Sequence, residues 1–266
     1  MTAPAHEAAN PPFTWTVGAL TAAFLLLPLC IVVVQSFTAE SFLRFPPAEF
    51  GLRWYNYVFH QEPWRAAAGR SLAIGGIVAP LATIIGTMAA FALDRGPRAI
   101  AGLVYGILIS PMILPHVVLA LGLLRIALMV EADDTYAALV VAHLVVAVPY
   151  VVITVGASLR LADRTLEDAA QSLGANAWNV FRHVILPAIW PGLLAGLIFA
   201  FVESFDEFII TFFLTTFKMT LPIQIFNTLS YQLEPSIAVV STLVLALTGL
   251  LTALVMARGA LPTREA

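Results

Sequence analysis

Residues 161–192 read LADRTLEDAAQSLGANAWNVFRHVILPAIWPG, a polar, interrupted stretch between two long apolar runs. Thr165, followed three residues later by Asp168, has the pattern of a capping box that opens a short helix. Gly174 stands where that helix should stop, because glycine readily takes the left-handed conformation of a helix end. Asn176 is placed to cap a second short helix through Phe181 and Val184, with Pro187 ending it. Pro191 then suits the first turn of the following apolar run. The stretch predicts two short helices at a bend. Ala169 and Ala170 let another surface approach closely, while Leu173, Trp178 and Phe181 offer apolar anchors.

The flanking runs decide the solvent. Of 266 residues, 60% are hydrophobic and 11% charged, against roughly 45–50% and about 25% in soluble domains. A chain this apolar would aggregate in water. A helix crosses the hydrocarbon core with ~20 mainly apolar residues, and six segments qualify: 13–36, 71–93, 100–129, 137–159, 189–214 and 236–257. The third and fifth exceed the need, so tilt or partial emergence is expected. The expectation is one all-α polytopic membrane domain over residues 1–266. No Lys or Arg precedes the first segment, so it does not read as a cleavable signal. Cys30 is the single cysteine, which excludes an intrachain disulfide or a thiolate metal cluster. A net charge of −3 implies no polyanionic or nucleic-acid partner. The tails, 1–12 and 258–266, read as disordered.

Basic residues mark the cytoplasmic side of a membrane protein. Arg95 and Arg98 fall between segments two and three, Arg160, Arg164 and Arg182 between four and five, and Arg258 and Arg264 after six. The link VEADDTY between three and four holds three acids and no base. Both termini and the 161–192 stretch are therefore expected in the cytoplasm. The loop 37–70, with Arg44, Arg53, Arg65 and Arg70, runs against this, although the rule weakens for longer loops, and LRWYNYVF within it reads as an interfacial helix.

The order DAAQSLG, nine residues, then VILP closely resembles the EAA signature of ABC-importer permeases, which reads Glu-Ala-Ala, three residues, Gly, nine residues, Ile, one residue, Leu-Pro. Asp168, Ala169, Ala170, Gly174, Val184, Leu186 and Pro187 take those places, with Asp for Glu and Val for Ile. Stretches from HLVVAVPYVVITVGASLRLAD through ESFDEFIITFFL to TLPIQIFNTLSYQLEPSIAVVST resemble the spermidine/putrescine permease group, so the likeness covers most of 70–257. It implies a type I ABC importer permease fold with six transmembrane helices and a cytoplasmic coupling helix between helices 4 and 5. Glu167, Asp168, Ala169, Ala170, Gly174, Trp178, Phe181 and Pro187 would then contact an ATPase. The implied partners are a second, homologous permease, two ATP-binding subunits, an extracytoplasmic binding protein and membrane lipid, in a bacterial inner membrane. Lys218 is the only lysine and precedes Met219, so this chain cannot form a phosphate-binding P-loop. ATP and Mg belong on the ATPase, with no cofactor and no covalent catalysis here.

FVESFDEFIITFFL, residues 201–214, sets Glu203, Asp206 and Glu207 in an apolar run. Spacings of three and four place them on one helical face. An intramembrane charge costs at least ~2.5–3.5 kcal/mol, so that face should meet protein or water. One reading is a cation-attracting wall, on which polyamine ammonium groups pair with Asp206 and Glu207 while Phe205 or Tyr231 packs on the methylenes. The others are acids solvated at the outer interface, or a contact to the partner permease, with Glu203 as a helix-packing residue. Ferric iron is the alternative cargo. A self-contained channel or carrier is a rival of another class that leaves the docking stretch unexplained. An intramembrane hydrolase is a third reading; it needs a serine–histidine or paired-acid site at matched depth, for which no convincing motif stands in the sequence. Pro111 and Pro115 predict a kink in the third segment. His116 and His143 read as hydrogen-bonded packing residues rather than metal ligands, since no second ligand stands at metal-binding spacing. Gly102 with Gly106, and Gly192 with Gly196, permit close helix approach.

Overall fold

The computed structural model describes residues 11–231 and 233–259. The expected disordered tails lie largely outside that range, although residues 11–12 and 258–259 belong to helices. The described elements are helices: α1 (Pro11–Ser36), α2 (Arg53–His60), α3 (Glu62–Arg95), α4 (Arg98–Ile113), α5 (His116–Met129), α6 (Tyr136–Leu161), α7 (Arg164–Ser172), α8 (Ala177–Val180), a π turn (Phe181–Ile185), α9 (Leu186–Asp206), α10 (Ile209–Leu214), α11 (Leu221–Tyr231) and α12 (Ser236–Gly259). Among the described residues, five helices are long and apolar enough to span a membrane, and the bent pair α4–α5 makes a sixth if its halves cross together.

The chain forms two compact units, one from residues up to 61 with 228–245, the other from 62–227 with the chain from 246 onward. In the first, α1 is exposed along its spanning window. The loop after it is fixed by an antiparallel bridge between Thr38 and Phe50 and by the Trp54 indole, which donates to the Glu40 carbonyl at 2.7 Å. The expected interfacial helix is α2, whose Trp54 and Val58 are buried.

In the second unit α3, α6 and α9 pack most extensively on one another. Lipid is as apolar as leucine, so close backbone approach, more than greasiness, holds such helices together. A Cβ on Gly192 would lie 2.3 Å from Ser158 Oγ, one on Gly196 2.7 Å from Thr154 Oγ1, and one on Gly86 2.6 Å from Val151 Cβ. The pair Gly192–Gly196 thus admits α6, as expected. Gly102 and Gly106 meet nothing within 4 Å, so that pair joins no helices within this chain. His143 is fully buried between α9 and α10, bonded through Nδ1 to Ser204 Oγ and through Nε2 to Thr211 Oγ1, both at 2.9 Å.

Two expected spans are broken. The third bends by 104° between α4 and α5, because Pro115 disfavours helical geometry at Leu114, which is extended at φ −71°, ψ 140°. Pro111 stays inside α4. The fifth does not run 189–214 as one helix. It starts earlier, at Ala177, and α9 stops at Asp206, with Glu207 extended before α10 resumes at Ile209. Pro187 therefore does not end a separate short helix. It occupies the first turn of α9, the place expected for Pro191, which lies inside the helix. The π turn before it shifts the hydrogen-bond ladder, so the amide that Pro187 lacks is accommodated without a break.

Candidate functional site

Residues 162–185 form a projecting loop braced by its own capping chemistry. The cap of α7 is Asp163, not Thr165: its Oδ1 accepts from the Thr165 amide at 2.9 Å. That backbone bond, with a second from the Thr165 hydroxyl, holds the Asp163 carboxyl below its usual range. Gly174 sits at φ +89°, a left-handed position that favours glycine. Asn176 Oδ1 accepts from the Asn179 amide at 2.9 Å and opens α8, as expected.

The eight residues expected to meet an ATPase divide into two sets. Glu167 is only 7% exposed and faces inward, where both its oxygens accept from Arg95 Nη2 at 2.9 and 2.6 Å. It braces the loop against the end of α3 and offers no outward contact. Arg164 makes a parallel tie to Asp94 Oδ2 at 2.9 Å. Phe181 is half-buried, its ring 6.1 Å from Phe91 and 5.8 Å from Trp178, and Ala170 packs against the core. Asp168, Ala169, Gly174, Trp178 and Pro187 are exposed, joined by Leu173 at 89% exposure. The outward set is a small apolar platform with one acid.

The three acids do not share one helical face. Glu203 and Asp206 end α9, whereas Glu207 lies in the break and is 5% exposed. Its Oε1 accepts from the Ile210 amide at 2.8 Å, which starts α10, and its carbonyl accepts from Thr211 Oγ1 at 3.1 Å. Its other oxygen, Oε2, lies 3.3 Å from His116 Nδ1, at the first residue of α5. The breaks in the third and fifth segments therefore meet at Glu207. Tyr150 of α6 interacts with Glu203, and Asp206 is exposed. All three carboxyls stand near the C-terminus of α9, where the helix dipole is negative and no basic residue occupies the last turn. The cluster holds more acids than bases, with His116 the basic group beside Glu207.

Of the aromatic partners expected from sequence, Phe205 is placed otherwise. Phe205 is 4% exposed and stacks on Phe201 at 5.6 Å, so it is a packing residue. Tyr231 ends α11 in the other unit, with its side chain exposed. Sequence spacing missed the place of His116, read there as a hydrogen-bonded packing residue, and of Tyr150, because both come from helices other than α9. A third cluster ties loops together. Asp134 Oδ1 accepts from Thr215 Oγ1 at 2.6 Å and from the Thr216 amide at 3.2 Å, and Lys218 Nζ bonds the Asp134 carbonyl. Chiefly through the Thr215 bond, the Asp134 carboxyl is held down at about 2.

A family model described as "Binding-protein-dependent transport system inner membrane component" matches residues 82–258. The chain belongs to this permease family. Its loop and cluster both lie within the matched region. The permease is 30% identical to the putrescine transport system permease protein PotI of Escherichia coli K12 over 235 residues, 85% of this chain and 83% of that one. It is 31% identical to the spermidine/putrescine transport system permease protein PotC of Haemophilus influenzae over 169 residues, 62% of this chain and 64% of that one. The PotC match thus spans somewhat under two thirds of that relative. In fold it resembles a chain of a bacterial ABC transporter involved in the import of the acidic polysaccharide alginate, with TM-score 0.68, 13% identity and coverage of 96% and 99%. A chain of a bacterial alginate ABC transporter in complex with alginate pentasaccharide-bound periplasmic protein matches at TM-score 0.66 and 14% identity, covering 91% of each chain.

Proposed function

We propose that this permease forms half of an ATP-driven importer's pathway and passes a polyamine or a similar small organic cation by alternating access. The observation that carries the reading is the junction at Glu207. Two interrupted spans converge there on three carboxyls, and broken membrane helices recur where transporters bind ions and substrates. A primary ammonium supplies the missing charge and three donors, and it matches carboxylate acceptors better than a neutral sugar does. The PotI and PotC relatives, at about 30% identity, support the same cargo class.

ATP hydrolysis belongs to a separate subunit that docks on the exposed side of the 162–185 loop, with Asp168, Ala169, Leu173, Gly174 and Trp178 in contact. On this reading the loop and both termini face the cytoplasm, a second permease completes the pathway, and an extracytoplasmic protein delivers the cargo. Glu167 and Phe181 transmit force by clamping the loop to α3.

The test is putrescine uptake into vesicles holding the assembled importer, wild type against Asp206→Asn with Glu207→Gln. Losing a charge-assisted contact of about 1.5–3 kcal/mol weakens cargo binding about 10- to 150-fold. The expected result is a matching rise in KM with normal assembly; unchanged kinetics would reject the cation pathway.

A further inference from the structure

The sequence offered no metal ligands at recognisable spacing, but the fold assembles three. We infer that His116, Glu203 and Glu207 form a binding site for a divalent transition-metal ion of the zinc type, bridging the start of α5 and the end of α9. One ligand atom from each residue lies within 4.8 Å of the other two. Zinc takes imidazole nitrogen and carboxylate oxygen at about 2.0–2.2 Å in tetrahedral geometry, so two of its ligand atoms stand roughly 3.3–3.5 Å apart. His116 Nδ1 and Glu207 Oε2 are 3.3 Å apart. The remaining donor, on Glu203, needs about an ångström of side-chain movement, well within the rotamer freedom of a half-buried glutamate at a helix end.

The surroundings favour an ion there. Glu207 is 5% exposed, and its Oε1 is engaged by the Ile210 amide, which fixes Oε2 toward the imidazole. A buried carboxylate is costly unless it is paired or coordinates a metal. The dipole at the C-terminus of α9 adds negative potential. Imidazole with two carboxylates selects zinc, nickel or cobalt over magnesium, which prefers oxygen donors. Three protein ligands leave a position for water. Because His116 opens one half of a bent span and Glu207 lies in the break after α9, an ion held between them would pin the two breaks together.

This inference does not depend on the identity of the cargo. The direct test is calorimetric titration of the purified full-length chain in nanodiscs with Zn²⁺, and optical titration with Co²⁺, whose absorption reports tetrahedral coordination. Wild type is compared with His116→Ala and Glu203→Gln. One high-affinity Zn²⁺ per chain is expected, with affinity reduced at least tenfold in each variant and Mg²⁺ unable to compete. A tetrahedral Co²⁺ spectrum should be lost in His116→Ala. Zinc affinity identical in wild type and both variants, or no binding below millimolar Zn²⁺, overturns the site. Putrescine uptake measured in chelator-treated buffer keeps this outcome separate from that of the cargo reading.

Discussion

At the residue scale, single side chains settle where helices start, stop and meet. His143 is the clearest case in the packed core, since its fully buried imidazole satisfies two hydroxyls. His143→Ala removes the imidazole partner of Ser204 and one of the two partners of Thr211, which keeps its bond to the Glu207 carbonyl. It also opens a cavity, a cost of about 2–5 kcal/mol, and should lower the thermal midpoint in detergent; His143→Gln, which can still bond at least one hydroxyl, should lose less. Equal losses in the two variants would mean that packing volume alone matters there. Asp134 gives the pH dependence. Its folded pKa is depressed from 3.8 to about 2, so its stabilisation is complete above the unfolded value and fades as pH falls through about 2. Asp134→Asn should therefore be less stable than wild type at neutral pH, with the gap narrowing as pH falls from 3.8 and closed once pH is below about 2. A gap that persisted in that acid range would show that the carboxylate charge is not the source.

Among elements, the close approach of α6 to α9 depends on the absence of side chains. Gly196→Ala places a methyl 2.7 Å from Thr154 Oγ1 and 3.2 Å from the Val151 backbone; overpacking of this kind costs about 1–3 kcal/mol and should appear as a lower unfolding midpoint. Gly106→Ala, which meets nothing within 4 Å in this chain, should not change it. Much of this was legible in sequence: the apolar runs, the glycine at a left-handed stop, the Asn176 cap and the Gly192–Gly196 face follow from local rules. The breaks were less so. A proline pair at Pro111 and Pro115 signals a kink but not its 104°, and nothing local says that α9 ends one residue before Glu207. That boundary depends on Glu207 capping α10 while facing His116, a contact between residues 91 positions apart (from 116 to 207). The capping box at Thr165 failed for a simpler reason: Asp163, two residues upstream, binds the Thr165 amide itself.

For the whole molecule, the loop and the cluster at Glu207 belong to one packed set of helices, α3, α6 and α9. The loop leaves α6 and returns as α9, and a 30-residue helix, Ala177–Asp206, connects it to the acids. Glu167→Ala removes the bidentate tie to Arg95, worth about 1.5–3 kcal/mol as a charged hydrogen bond. It should loosen coupling, seen as ATP hydrolysed per putrescine imported, more than it lowers putrescine affinity. We place the seat of a separate motor subunit on the exposed side of this loop. Cross-linking from Leu173→Cys in a Cys30→Ser background, in membranes of cells that carry the whole importer, tests this. Expected are a cross-link to the ATPase subunit and no labelling of that cysteine by a membrane-impermeant maleimide added from outside the cell. Labelling from outside, with no cross-link to any ATPase, would contradict that placement.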